Sequence, residues 1–140
     1  KYFALIKGSF AQAGGEIDTL LIRDRKNRKR FMVSDTDGKQ ATTIYRSLKR
    51  WDRYSFVSLS PITGRTHQLR VHMKHLGHPI VGDPTYGRKD NNQPDAPLML
   101  HAYSLKIRLP GEEGPRAFRA PLPDRMKEMI RSFENQQTQG

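Results

Sequence analysis

One stretch, Gly64 to Asp83, constrains this chain more than any other. It reads G-R-T-H-Q-L-R-V-H-M-K-H-L-G-H-P-I-V-G-D and carries both the punctuation and the periodicity of one short helix. Thr66 is a favoured N-cap residue, because its hydroxyl can accept from an unpaired N–H of the first turn. Gly77 suits the position just past the end, and Pro79 forbids continuation. Between them Leu69, Met73 and Leu76 recur at helical spacing and form one apolar stripe. Thr66, His67, Arg70 and Lys74 lie three and four residues apart on another face. A polar cluster therefore stands at the start of a core-anchored helix, where free N–H groups and the helix dipole favour an anion. The same pattern also suits a solvated basic helix with surface histidines.

The rest of the chain reads mostly as strand. Tyr2 to Phe10 alternates and is rich in strand formers, ending near Gly8. Ala11 to Asp18, with two adjacent glycines, reads as a loop. The basic run Arg23 to Arg30 reads as a solvated hairpin turn between strands at Leu20–Ile22 and Phe31–Val33. Asp35 to Gly38 is a turn. Gln40 to Trp51 suits helix or strand; its Thr-Thr-Ile-Tyr core and the following Tyr54–Ser60 favour a strand pair. Ile80–Val81 is a short strand, and Gly82 to Pro97 a polar, mobile loop. Leu98 to Leu109 reads as one long strand paired with Pro115–Ala120 across Gly111–Gly114. Pro123 to Phe133 is a helix with Met126, Met129 and Ile130 inward, and 134–140 is a polar tail. The expected class is α+β, a largely antiparallel mixed sheet with few helices.

The 140 residues suffice for one domain with a core. The chain opens at Lys1, inside an apparent strand, and so reads as a domain-sized piece, 1–140, of a longer protein. It has no cysteine, which excludes disulfides and thiolate metal sites and agrees with a reducing cytoplasm. No apolar run reaches membrane-spanning length, and no signal peptide is visible. The net charge of +11 is uneven. Lys1 to His75 holds 16 Lys and Arg against 6 Asp and Glu, a net +10, whereas Leu76 to Gly140 holds 9 against 8. Basic asymmetry of this kind points to a polyanion, most simply a nucleic acid, rather than a membrane surface.

G-R-T-H-Q-L-R-V-H followed by G-H-P-I-V-G-D-P-T-Y-G resembles the signature of the RluA-type pseudouridine synthases, which isomerise uridine in ribosomal or transfer RNA. K-Y-F-A-L-I-K-G at Lys1–Gly8, G-K-Q-A-T-T-I-Y at Gly38–Tyr45, L-H-A at Leu100–Ala102 and F-R-A-P-L-P at Phe118–Pro123 match too, in the family's order. The resemblance covers most of the chain and implies the C-terminal part of a synthase catalytic domain.

The reaction must break a glycosidic bond, hold and turn the freed base, and remove a proton from carbon five. The resemblance assigns the first step to an aspartate in an upstream H-R-L-D motif, which none of the nine aspartates here occupies. It makes Tyr2 the active-site tyrosine, with its ring against uracil and its phenol assisting proton removal. It makes Arg70 the arginine that keeps the missing aspartate ionised, a task its rigid fork suits. Arg65, Thr66 and His67 are placed by the flipped nucleotide's phosphates. Lys39, Arg23, Arg25 and Arg28 are candidate RNA-backbone contacts. Asp83 reads as a turn or capping carboxylate. His72, His75 and His78 recur at three-residue spacing, but with no carboxylate in the helix and His78 beyond its end they do not read as a metal site. No cofactor is implied. The alternative is a non-catalytic RNA-binding module using the same basic face. A strand edge bared by truncation is expected to favour self-association.

Overall fold

The structure is a computed structural model and describes residues 1–107, 110, 111 and 113–139. Six strands form one sheet in the order β3-β2-β4-β5-β1-β6, with β1 Tyr2–Lys7, β2 Gly14–Arg23, β3 Phe31–Ser34, β4 Lys39–Arg50, β5 Tyr54–Pro61 and β6 Leu100–Ala102. A separate ribbon pairs β7 Ser104–Ile107 with β8 Arg116–Arg119. Every named strand pair is antiparallel. The helices are α1 Gln68–His75 and α2 Asp124–Gln139. No helix among the described residues is long and apolar enough to cross a membrane.

Register explains which face is buried. Ile17, Thr43 and Pro61 stand in line across β2, β4 and β5, as do Tyr45, Leu59 and Tyr2 across β4, β5 and β1. Alternate residues of each strand share that face, and Ile17, Leu21, Ala41, Thr43, Val57, Leu59, Ala4 and Ile6 are all buried on it. Leu69 and Met73 of α1 join the same core, as the apolar stripe requires. The opposite face divides: on β2 and β4 Glu16, Asp18, Gln40 and Ile44 are exposed, whereas on β1 and β5 Leu5 and Tyr54 are buried in one cluster with Met126, Met129 and Phe133 of α2.

Five local expectations change. Gly14 to Asp18 belongs to β2 rather than to a loop. Its paired glycines serve close packing: a Cβ on Gly15 would lie 2.7 Å from the Tyr45 hydroxyl. The single strand expected over Leu98–Leu109 divides at Tyr103, where Tyr103 and Ser104 both donate to the Lys1 carbonyl; Arg108 and Leu109 lie outside the described residues. Ile80 makes one isolated bridge, with Ile6, in place of a strand. The expected polar tail is mostly the last turns of α2, with Lys49 pairing Glu134 at 3.5 Å; Gly140 lies outside the described residues. The loop from Gly82 to Pro97 is tied down: Tyr86 is buried, and Asp90 accepts from the Tyr54 hydroxyl at 2.7 Å.

Candidate active site

Helix α1 is held from both ends. At its C-terminus the His78 N–H bonds to the Met73 carbonyl and the Gly77 N–H to Lys74, with Gly77 at φ 86°. That is the paired 6→1 and 5→2 closure that glycine permits. At its N-terminus the expected Thr66 cap is not used. The N-cap is His67, in the left-handed region at φ 56°, and no side chain caps it. Gln68 explains the shift. Its amide donates to the Thr42 carbonyl and the Thr43 hydroxyl, both at 2.9 Å, and its carbonyl accepts from the Thr63 hydroxyl and the Arg65 N–H. A buried glutamine thus staples the turn before α1 onto β4, and a long-range network overrides the local capping preference.

His72 secures the middle of the helix. Buried completely, it bonds Thr19 through Nε2 and Thr43 through Nδ1, both at 2.8 Å. In the neutral ring one of these nitrogens donates and the other accepts, and the two threonine hydroxyls satisfy both. Burial, with His75 adding, pushes its pKa down to about 4. Both nitrogens being spent, His72 is no metal ligand; His78 turns its Nδ1 to the Lys7 carbonyl. The described residues hold no cluster of three potential ligands.

The cluster at the helix start does converge. Tyr2, Arg65, His67 and Arg70 line one cavity of about 230 Å³, with Pro61, Leu69 and Leu100 as apolar walls. Register places Tyr2 there: it opens β1 opposite Leu59, two residues before Pro61 ends β5. Arg70 grips Asp83 through Nε at 2.9 Å and Nη2 at 2.8 Å, a bidentate fork in which the Asp83 side chain is fully buried. Asp83 also accepts from the Thr85 and Tyr86 N–H groups. Burial alone would raise the Asp83 pKa; the Arg70 and backbone donors outweigh it, and the net shift is downward. The same fork raises that of Arg70. Arg70 was expected to serve an aspartate beyond this chain; here it is bound to Asp83, which is also the turn-capping carboxylate foreseen.

Tyr86 completes the cluster and was missed. The Arg70 guanidinium lies over its ring at 5.2 Å, while its hydroxyl takes the Phe31 N–H at 2.9 Å and reaches His67 Nδ1 at 2.8 Å. The available signal was its place three residues after Asp83, in a turn opened by Pro84.

The outer basic residues divide. Arg23, Lys39, Arg65 and Thr66 border a second depression of about 390 Å³ next to the cavity. Arg65 donates from Nε to the Gln40 carbonyl, and Arg23 lies over the Phe31 ring at 4.8 Å. Arg25 borders a different depression, with Asp24, Asp35 and Asp37, and Arg28 stands exposed on the hairpin.

The family described as RNA pseudouridylate synthase matches residues 1–75. The chain belongs to the RNA pseudouridylate synthase family. The ribosomal large subunit pseudouridine synthase D of Borreliella burgdorferi is 45% identical over 132 residues, which cover 94% of this chain and 40% of that protein. The dual-specificity RNA pseudouridine synthase RluA of Vibrio cholerae is 36% identical, over 95% of this chain and 56% of that one. The solved human RNA pseudouridylate synthase domain containing 1 superposes with a TM-score of 0.74 at 29% identity, over 95% of this chain and 64% of its own. The chain thus spans about half the length of the pseudouridine synthases it matches. The α+β fold with its antiparallel sheet is the fold of that family.

Proposed function

We propose that the protein to which these 140 residues belong isomerises uridine to pseudouridine in ribosomal or transfer RNA, and that the cavity between Tyr2 and Arg70 receives the flipped uracil. The observation that carries this reading is the convergence of Tyr2, from the first strand, with Arg65, His67 and Arg70, from the helix start, on one apolar-walled cavity. An RNA base reaches such a cavity only by leaving its stack. Tyr2 lies against the base and assists removal of the carbon-five proton. Arg65 and Thr66 meet the adjoining phosphates, and Lys39, Arg23, Arg25 and Arg28 extend the basic track. The chemistry calls for neither metal nor cofactor. A cysteine-free chain suits the cytoplasm as its place of action.

The nucleophilic carboxylate is a separate matter. Asp83 is the carboxylate bound at the cavity, and its oxygens are taken by Arg70, Thr85 and Tyr86 with no exposure. It cannot reach a sugar. We infer that the attacking aspartate comes from outside these 140 residues, as the H-R-L-D motif of the resemblance implies, and that Arg70 meets it with Nη1, the fork nitrogen that Asp83 leaves unused. Tritium release from carbon five of uridine in RNA tests this directly. Turnover by the full-length protein and none by the 140-residue chain is the expected result. Turnover by the chain alone would place the nucleophile among its own aspartates. Salt-sensitive RNA binding by a full-length protein that never releases tritium would instead mark a binding module.

A further inference from the structure

His67 is the only described non-glycine residue with positive φ, at 56°. A side chain in that region is unfavourable and persists only where its surroundings impose it. The Gln68 staple sets the turn in which His67 stands, and Tyr86 holds the ring that the turn presents. The Tyr86 phenol oxygen accepts the Phe31 N–H and stands 2.8 Å from His67 Nδ1, which is the one ring nitrogen its own proton can be given to. The ring is also fixed edge-on to Tyr86 and Phe31, at 5.5 and 5.9 Å between centroids. With Nδ1 occupied as an acceptor, the ring proton sits on Nε2, and among the described residues nothing accepts from it. Burial, reinforced by the nearby Arg70 charge, lowers the His67 pKa, while burial raises that of the Tyr86 phenol. The imidazole therefore stays neutral and the phenol keeps its proton.

We propose that Tyr86 is a positioning residue that locks His67 as a neutral Nε2–H donor at the cavity, directed to an oxygen acceptor of the bound uridylate. The same residue lies beneath the Arg70 guanidinium, and its backbone N–H caps Asp83. One turn, Asp83 to Tyr86, thus sets the orientation of two cavity groups at once. A donor fixed before the substrate arrives needs no reorganisation as charge develops on the base or phosphate. The inference rests on the proposed uridine isomerisation, and full-length wild-type protein without tritium release would fail that reading first.

With active wild type in hand, four measurements test the proposal. In full-length protein labelled with ¹⁵N-histidine, His67 is expected to show an unprotonated Nδ1 and a protonated Nε2, with the preference lost in Tyr86→Phe. Tyr86→Phe is expected to lower kcat about tenfold, as loss of an outer partner of a functional histidine does, with RNA affinity little changed. His67→Gln keeps a donor near the Nε2 position, and His67→Asn better tolerates the left-handed backbone. Gln is expected to retain more activity and Asn more thermal stability; a merely structural histidine would put Asn ahead in both. RNA substituted with 4-thiouridine and RNA with a phosphorothioate at the target then locate the acceptor, since the bond to His67 is weakened by sulfur at only one of them. The proposal is overturned by a proton on Nδ1, by a cationic ring at neutral pH, by unchanged kcat in Tyr86→Phe, by Asn ahead in both readouts, or by equal indifference to both sulfur substitutions.

Discussion

Arg70 and Arg25 are the same residue in two regimes. Arg70 is one-sixth exposed, with Nε and Nη2 on a fully buried carboxylate and its guanidinium over Tyr86. Arg25 stands exposed on the turn between β2 and β3. Burial strengthens the first interaction and fixes its direction; solvent and salt screen the second to a diffuse field. The helix side of the sheet is thus built for geometry and the basic hairpin for attraction. Perturbing each region should produce different kinds of loss.

Breaking the buried fork should have the largest effect. Asp83→Ala leaves a largely buried guanidinium without its counterion and removes the acceptor of the Thr85 and Tyr86 N–H groups. Chemical denaturation should record a loss of about 3–5 kcal/mol, the usual result when one member of a buried pair is removed. A loss under about 1 kcal/mol would put the pair in the same solvent-screened class as the hairpin. Asp83 has a depressed folded-state pKa, so its contribution is present above the unfolded carboxyl value and disappears as pH falls through the folded one.

His72 makes the helix side respond to milder acid. Its pKa falls from 6.5 in the unfolded chain to about 4 when folded. Between those values the unfolded chain binds more protons, so stability is full above 6.5 and declines as pH drops toward 4. The shift corresponds to about 3 kcal/mol at roughly 1.4 kcal/mol per unit. The depressed pKa of His67 acts with the same sign. Denaturation midpoints collected from pH 7 to 4 should show this slope, and a His72→Gln variant should flatten most of it. A flat wild-type profile would mean that His72 is not held neutral by the Thr19–Thr43 clasp.

These residues also show where sequence reasoning reaches and stops. Gly77 was legible because the closure of a helix needs a left-handed residue just beyond it, a local demand. The β4–β5 pair was legible from strand formers on either side of a short turn. Thr66 misled because the helix start is decided by Gln68 reaching β4, which no window around Thr66 contains. The break at Tyr103 is fixed from afar by the Lys1 carbonyl, yet the run carried a sign of it, since its apolar residues shift from the even positions Leu98, Leu100 and Ala102 to the odd positions Leu105, Ile107 and Leu109. Tyr2 and Arg70 were paired through family resemblance, and the fold then placed them on one cavity. The Arg70–Asp83 fork spans a turn and a bridge of the sheet, so spacing alone carried no sign of it.

The hairpin should give the smallest effects, and they should be graded. Arg23 borders the depression next to the cavity and lies over Phe31, whereas Arg25 and Arg28 do neither. Replacing all three with alanine should weaken binding to every RNA alike and reduce the salt slope by up to about 2–3, since each phosphate contact contributes roughly 0.7–0.9. Arg23→Ala alone should account for the largest share. Arg25→Ala should leave stability within about 0.5 kcal/mol of wild type and change affinity only at low salt. Binding isotherms at several salt concentrations separate these cases. Equal losses from Arg23 and Arg25 would mean that the hairpin acts as undirected charge throughout. A loss from Arg25→Ala that persists at high salt would mean the opposite: a fixed contact on the exposed turn, and no division between geometry and attraction where the structure draws one.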